Sequence, residues 1–165
     1  FIAGYISHLI ADEAWIVLVY RPYFDNRKIF EDPVKANVID RALQLDMDRT
    51  AMHRRNDMAN ISDQLVDAHI GVNVEFLEPG ALAEFANRLS KVTRGEFSWE
   101  RLPFLASRRQ DHENLEKAQT IARQFIEGLP DSLEMVYQSV PREALTTYRS
   151  NVVEEWEKAV RGFLT

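Results

Sequence analysis

The sequence contains no cysteine in its 165 residues. That excludes disulfide staples and thiolate metal sites, and leaves the compartment open between the reducing cytoplasm and export without disulfides. It also lacks a basic stripe. The longest positive runs are Arg54-Arg55 and Arg108-Arg109 against a net charge of -6, so nucleic acid is not expected as a bulk ligand, because a phosphate backbone is gripped by clustered Lys and Arg. Strand alternation, tandem repeats, low-complexity runs and internal linkers are missing too. The expectation is an all-α protein, a single-domain multi-helix bundle over 1–165, and its 45% hydrophobic and 28% charged residues fit a folded globule rather than a disordered tail.

No uninterrupted membrane span is present either. Residues 1–20 are the most apolar stretch and approach span length, but Asp12 and Glu13 lie near its centre, each costing about 2.5–3.5 kcal/mol at mid-membrane. A central core helix ended by Pro22 is expected instead. The chain enters this apolar segment directly at Phe1, with no polar lead-in, and reads as missing an upstream segment.

What is present is a series of helix signals. Asp32-Pro33 supplies an N-cap and a first-turn proline for a helix running to about Arg55, with Val34, Val38, Ala42, Leu45 and Ala51 at helical spacing. Ile61, Leu65, Val66, Ile70 and Val74 suggest the next helix. Pro79 opens another, through Leu82, Phe85, Leu89 and Val92 to a stop at Gly95. Ser98 can cap a short helix carrying Trp99, Leu102 and Leu105, with Pro103 within it or at a break between two turns. Asp111 caps a helix ending at Gly128, Asp131 and Glu134 resemble a capping box for a short helix, and Pro141 opens the last, with Leu145, Tyr148, Val152, Val153, Trp156, Val160 and Phe163 as its stripe.

Histidine and a carboxylate four residues apart share a helix face and can grip one cation. His8 with Asp12, His53 with Asp57 and His112 with Glu116 have this spacing, where composition alone would give fewer than one such pair. His53 lies beside Arg54 and Arg55, which would repel a metal, and reads as a solvated helix end. His112 sits in a charged first turn and reads as exposed, while His69 reads as a satisfied, partly buried residue. His8 and Asp12 differ because the residues around them are apolar: a carboxylate there needs a cation, hydrogen bonds or a metal. The bland alternative pairs Asp12 with an arginine from another helix and His8 with a backbone carbonyl. Asp46, in the apolar run 43–47, could join the same site if its helix packs beside the first, or be solvated or paired with an arginine. Asp48 shares that helix, Glu13 points about 100° away from Asp12, and Trp15, Trp99 and Trp156 read as core.

The segment Gly4-Tyr5-Ile6-Ser7-His8-Leu9-Ile10-Ala11-Asp12-Glu13-Ala14-Trp15 resembles the His-x-x-x-Asp helix of the bacterial zinc-dependent phospholipase C family, an all-α group related in fold to zinc-dependent single-strand nucleases. More loosely, Arg21–Phe24, Arg41–Asp46 and Phe97–Leu102 resemble stretches of uncharacterised bacterial members. The resemblance implies that His8 and Asp12 supply two zinc ligands, and that further ligands come from an upstream segment, later histidines and a His-x-x-x-Glu helix. A zinc-bound water would then attack a small phosphodiester or phospholipid headgroup. The sequence departs from that pattern: nothing precedes Phe1, and no later histidine lies in an apolar setting. The rival expectation is a non-catalytic helical interaction or scaffold domain.

Overall fold

Pro22 sits inside a helix rather than after one. The computed structural model describes the backbone of residues 2–54, 58–78, 80–108 and 110–164. In it the first helix, α1 (Ile2–Trp15), continues as a π-helical segment, Ile16–Phe24, that contains Pro22. An α-turn would drive the proline ring into the carbonyl one turn back, whereas the wider π-turn gives the ring room. Asp25 closes the segment by donating its N–H to Tyr20 O at 3.0 Å.

The remaining helices are α2 (Pro33–Arg54), α3 (Met58–Asp67), α4 (Ala81–Arg94), a 3-10 turn (Trp99–Arg101), α5 (Leu102–Ser107), α6 (His112–Glu127), α7 (Asp131–Ser139) and α8 (Arg142–Leu164). The protein is therefore all-α, with no strand among the described residues. Most starts follow local chemistry. Asp32 Oδ1 accepts from Val34 N at 3.0 Å and Asp111 Oδ1 from Asn114 N at 3.1 Å, so both aspartates cap as their positions require. Pro103 falls in the first turn of α5, just after the 3-10 turn. The helix start expected at Pro79 lies outside the described residues; α4 begins after Gly80, whose φ of 90° only glycine adopts without strain.

Two expected boundaries shift. The helix expected through Ile70 and Val74 ends at Asp67, because Gly71 takes φ 75° and the chain breaks into turns. The expected capping box at Asp131 does not form. Asp131 is already inside α7, Glu134 approaches Arg142 at 3.8 Å, and it is the Ser132 hydroxyl that donates, to Phe125 O at 2.6 Å.

By its internal contacts the chain divides into two compact units, residues 1–45 with 100–165, and residues 46–99. In the first, α1 and the π segment pack against α8, and α5 and α7 against α6. The buried helix of this unit is not α1. It is the first half of α2, where Val34, Ala36, Val38, Ile39, Asp40, Ala42, Leu43 and Leu45 are all buried. The apolar first helix leaves Tyr5 and Leu9 exposed, while Ala14 near its end is buried. In the second unit α3 and α4 pair as a hairpin. Ser62 and Ser90 meet inside it with hydroxyls 2.8 Å apart, and Arg94 bonds Asp63 across its open edge.

Candidate functional site

The His8–Asp12 pair forms as the four-residue spacing requires: Nε2 and Oδ2 lie 3.4 Å apart. Its setting is the opposite of the one expected. The two side chains are 68% and 61% exposed, so water solvates both and neither needs a cation to be tolerated. Glu13 is exposed as well. Tyr5 and Leu9 of α1 and Ile16, the first residue of the π-helical segment, are each between 44% and 57% exposed, so exposed apolar side chains flank the polar pair along the chain.

The inner side of α1 holds the buried polar chemistry. Trp15 donates its indole N–H to Asp40 Oδ1 at 2.9 Å, and Gln44 donates Nε2–H to the other carboxylate oxygen, also at 2.9 Å. Arg41 in turn donates to Gln44 Oε1 at 2.5 Å. Trp15 also meets Tyr148 of α8 edge to face, with centroids 5.2 Å apart. Burial pushes the Tyr148 phenol above its ordinary value, and the nearby charge of Asp12 adds to the rise. Tyr20 OH donates to Asn37 Oδ1 at 2.8 Å, a second tie to α2. Neither Asp40 nor Gln44 stood out in the sequence; the signal that could have raised Asp40 is its place in the i, i+4 register with Ala36 and Gln44, both on a helix rich in small apolar residues.

Asp46 is buried, and its charge is answered by an arginine. Arg49 donates from Nε and Nη2 to Asp46 Oδ1 at 2.8 and 2.7 Å. Asp46 therefore has an arginine partner and is not solvated. Asp48 is exposed. The His53 side chain and Asp57 lie outside the described residues. His112 and Glu116 are exposed on α6, and His69 is half-buried with Nδ1 3.0 Å from Val66 O. Trp15 and Trp99 are half-buried, the latter edge to face with Phe97 at 5.2 Å, whereas Trp156 is exposed on α8.

A catalytic zinc takes three protein ligands and keeps one position for water. The described residues offer two at His8 and Asp12, and no group of three or more His, Asp or Glu side chains able to hold a metal converges among them. The donor set does not fit a complete zinc centre. No helix among the described residues is long and apolar enough to cross a membrane. No family model matches the sequence, and no curated protein or solved structure matches it significantly.

Proposed function

We propose that this chain is a non-catalytic helical interaction domain that pairs with a second copy of itself through the outer side of α1. The observation that carries the reading is the exposed stripe of Tyr5, Leu9 and Ile16 with His8 and Asp12 set into it. At 100° per residue, Asp12, Tyr5 and Leu9 fall within about 60° of one another, with His8 on one rim, and the exposed Ile16 follows at the first position of the π-helical segment. Such a stripe is self-complementary. Tyr5 and Ile16 are equally distant from the point between Ile10 and Ala11, so an antiparallel copy sets Tyr5 against the partner subunit's Ile16. The same two-fold axis brings His8 level with the partner subunit's Glu13, one residue along from the partner subunit's Asp12, and each contact occurs twice.

A 14-residue helix is about 21 Å long, and one face of it buries less than the roughly 800 Å² per partner of a standard interface, so the dimer is a weak one, with a dissociation constant on the order of 10–100 µM. Sedimentation equilibrium tests it. The parent protein should populate a dimer in that range, and Leu9→Glu with Ile16→Glu should be monomeric with an unchanged thermal midpoint. A parent protein that stays monomeric, or a double variant that still dimerises, overturns the reading.

The 3.4 Å separation and open setting of His8 and Asp12 favour one second reading, a divergent zinc-dependent phospholipase C-like hydrolase acting on a phosphodiester or phospholipid headgroup. It requires ligands beyond the described residues. Calorimetric titration with zinc chloride tests it: binding lost in His8→Ala and Asp12→Ala, together with zinc-dependent cleavage of bis(p-nitrophenyl) phosphate, supports it. Absence of zinc binding removes it.

A further inference from the structure

The whole net charge of the protein is concentrated in one segment. Between Asn56 and Asn87 there is no lysine or arginine, but there are six carboxylates, Asp57, Asp63, Asp67, Glu75, Glu78 and Glu84, which equal the net charge of -6 for the entire chain. The rest of the sequence is electrically balanced. The described part of this segment forms α3, the connection over 68–78 and 80, and the start of α4. Asp67, Glu75, Glu78 and Glu84 are all exposed. Asp63 bonds Arg94, while no hydrogen bond or ion pair ties the other four to a described side chain.

The same connection exposes large apolar side chains. Phe76 is 84% and Ile70 68% exposed, and Val72 and Leu77 are exposed beside them in sequence. Connections this long are uncommon and are usually either functional or linker segments. Its backbone is held in successive turns: Ile70 N–H donates to Asp67 O at 3.0 Å, Val72 N–H to His69 O at 3.1 Å, Leu77 N–H to Val74 O at 3.0 Å and Ala81 N–H to Glu78 O at 3.1 Å. Gly71 and Gly80 supply the positive φ values of 75° and 90° that these turns need. The apolar groups are thus displayed by a bonded scaffold, and exposed apolar clusters rimmed by polar groups mark interaction sites.

We propose that the α3–α4 connection, which exposes Ile70 and Phe76 and carries Glu75 and Glu78 close to them in sequence, is a docking site for a basic amphipathic segment of a partner protein. Apolar side chains of that segment would cover Ile70 and Phe76 while its lysines or arginines meet the carboxylates. Charge selects this occupant over the alternatives. A phosphate backbone or an anionic lipid surface would be repelled by these exposed carboxylates, whereas a cationic segment is drawn to them and steered in. The proposal concerns residues 46–99 alone and does not depend on the pairing of α1.

The test uses the full chain and a fluorescein-labelled amphipathic peptide of leucine and lysine, with a matched peptide carrying glutamate for lysine. Fluorescence anisotropy should show binding of the lysine peptide only, weakening as salt rises. Ile70→Ser with Phe76→Ser, and separately Glu75→Lys with Glu78→Lys, should each lower affinity by about tenfold or more. These positions are exposed, so circular dichroism should report an unchanged fold. Equal binding of both peptides, less than a threefold change in either variant, or adsorption to phosphatidylserine vesicles in place of the lysine peptide would each overturn the proposal.

Discussion

The indole nitrogen of Trp15 and the carboxylate of Asp40 are 2.9 Å apart, although 25 residues separate them in sequence. This bond fixes α1 to α2 and satisfies one oxygen of a buried acid, the other being satisfied by Gln44. Asp40 is 5% exposed and water cannot replace a lost donor. Trp15→Phe keeps most of the ring area and its edge contact with Tyr148 but leaves that oxygen without the indole donor, so the variant should lose about 1–3 kcal/mol of stability. Urea denaturation of Trp15→Phe, Asp40→Asn and the double variant measures it. A coupling energy below about 0.5 kcal/mol would show that the bond contributes nothing beyond packing.

Asp46 and Arg49 give a second case in which a buried acid depends on a donor. The carboxylate is nearly inaccessible while the guanidinium is about one-third exposed. Removing Arg49 takes the guanidinium donor away from a buried charge, and Arg49→Ala should cost up to about 3 kcal/mol, less than a fully buried pair because solvent reaches the arginine side. Asp46→Asn in the Arg49→Ala background should recover part of the loss, since a neutral amide needs no countercharge. Thermal and urea denaturation of the single and double variants decide it; an Arg49→Ala protein as stable as the parent contradicts the assigned role.

These two acids also show how far the sequence was legible. Helix identity and caps were readable because they depend on residues a few positions apart: Asp32, Asp111, Gly95 and Gly128 act where their local chemistry puts them. Which helix is buried was not readable. α1 is the most apolar segment and leaves Tyr5 and Leu9 exposed; α2 carries Asp40, Arg41, Asp46 and Arg49 and is buried. Hydrophobicity of a segment measures a tendency, and tertiary partners decide where the segment goes. Asp40 and Asp46 could be buried because Trp15, Gln44 and Arg49 answer them, one from a distant helix and two from α2 itself. The buried setting expected for His8 and Asp12 is not found for the same reason: both side chains are exposed on α1, and it is Ala14 and Trp15 of that helix that meet the core. The boundary between Leu45 and Asp46 had no marker because it falls inside a continuous helix. The missing cations of residues 56–87, in contrast, are visible in composition alone, but they gain meaning only once Ile70 and Phe76 of the connection are seen to be exposed.

Asp32 links stability to pH. Lys117 Nζ of α6 lies 2.9 Å from its Oδ2, and this bond, with those from the backbone of Val34 and Lys35, outweighs partial burial and holds the carboxyl below its ordinary 3.8. A depressed acid contributes stability above its unfolded value, and that contribution is lost as pH falls through the folded one. The parent protein should therefore weaken as the pH drops below 3.8, and Lys117→Met, which removes the largest cause, should show a shallower loss over the same interval. Denaturant midpoints measured across acid pH test this. Parallel profiles for parent and variant would remove Lys117 as the cause.

Gly128 and Ser132 supply a steric test. A Cβ added at Gly128 would stand 2.7 Å from Ser132 Oγ, closer than real contacts allow. That oxygen is not free to swing away, because it is buried and its proton is given to Phe125 O at 2.6 Å, binding the end of α6 to the start of α7. The Gly128 backbone itself, at φ -86°, accepts alanine. The cost of Gly128→Ala thus comes from displacing one hydroxyl and breaking one buried hydrogen bond, about 1–3 kcal/mol. In Ser132→Ala the oxygen is gone and the nearest remaining side-chain atom, Ser132 Cβ, is 3.7 Å away, an ordinary contact. Gly128→Ala should then be almost neutral in the Ser132→Ala background, and alanine's lower unfolded-state entropy should even favour it slightly. A double-mutant cycle by urea denaturation measures the difference. Strict additivity of the two substitutions would mean that the clash is relieved elsewhere and that the hydroxyl does not hold the junction.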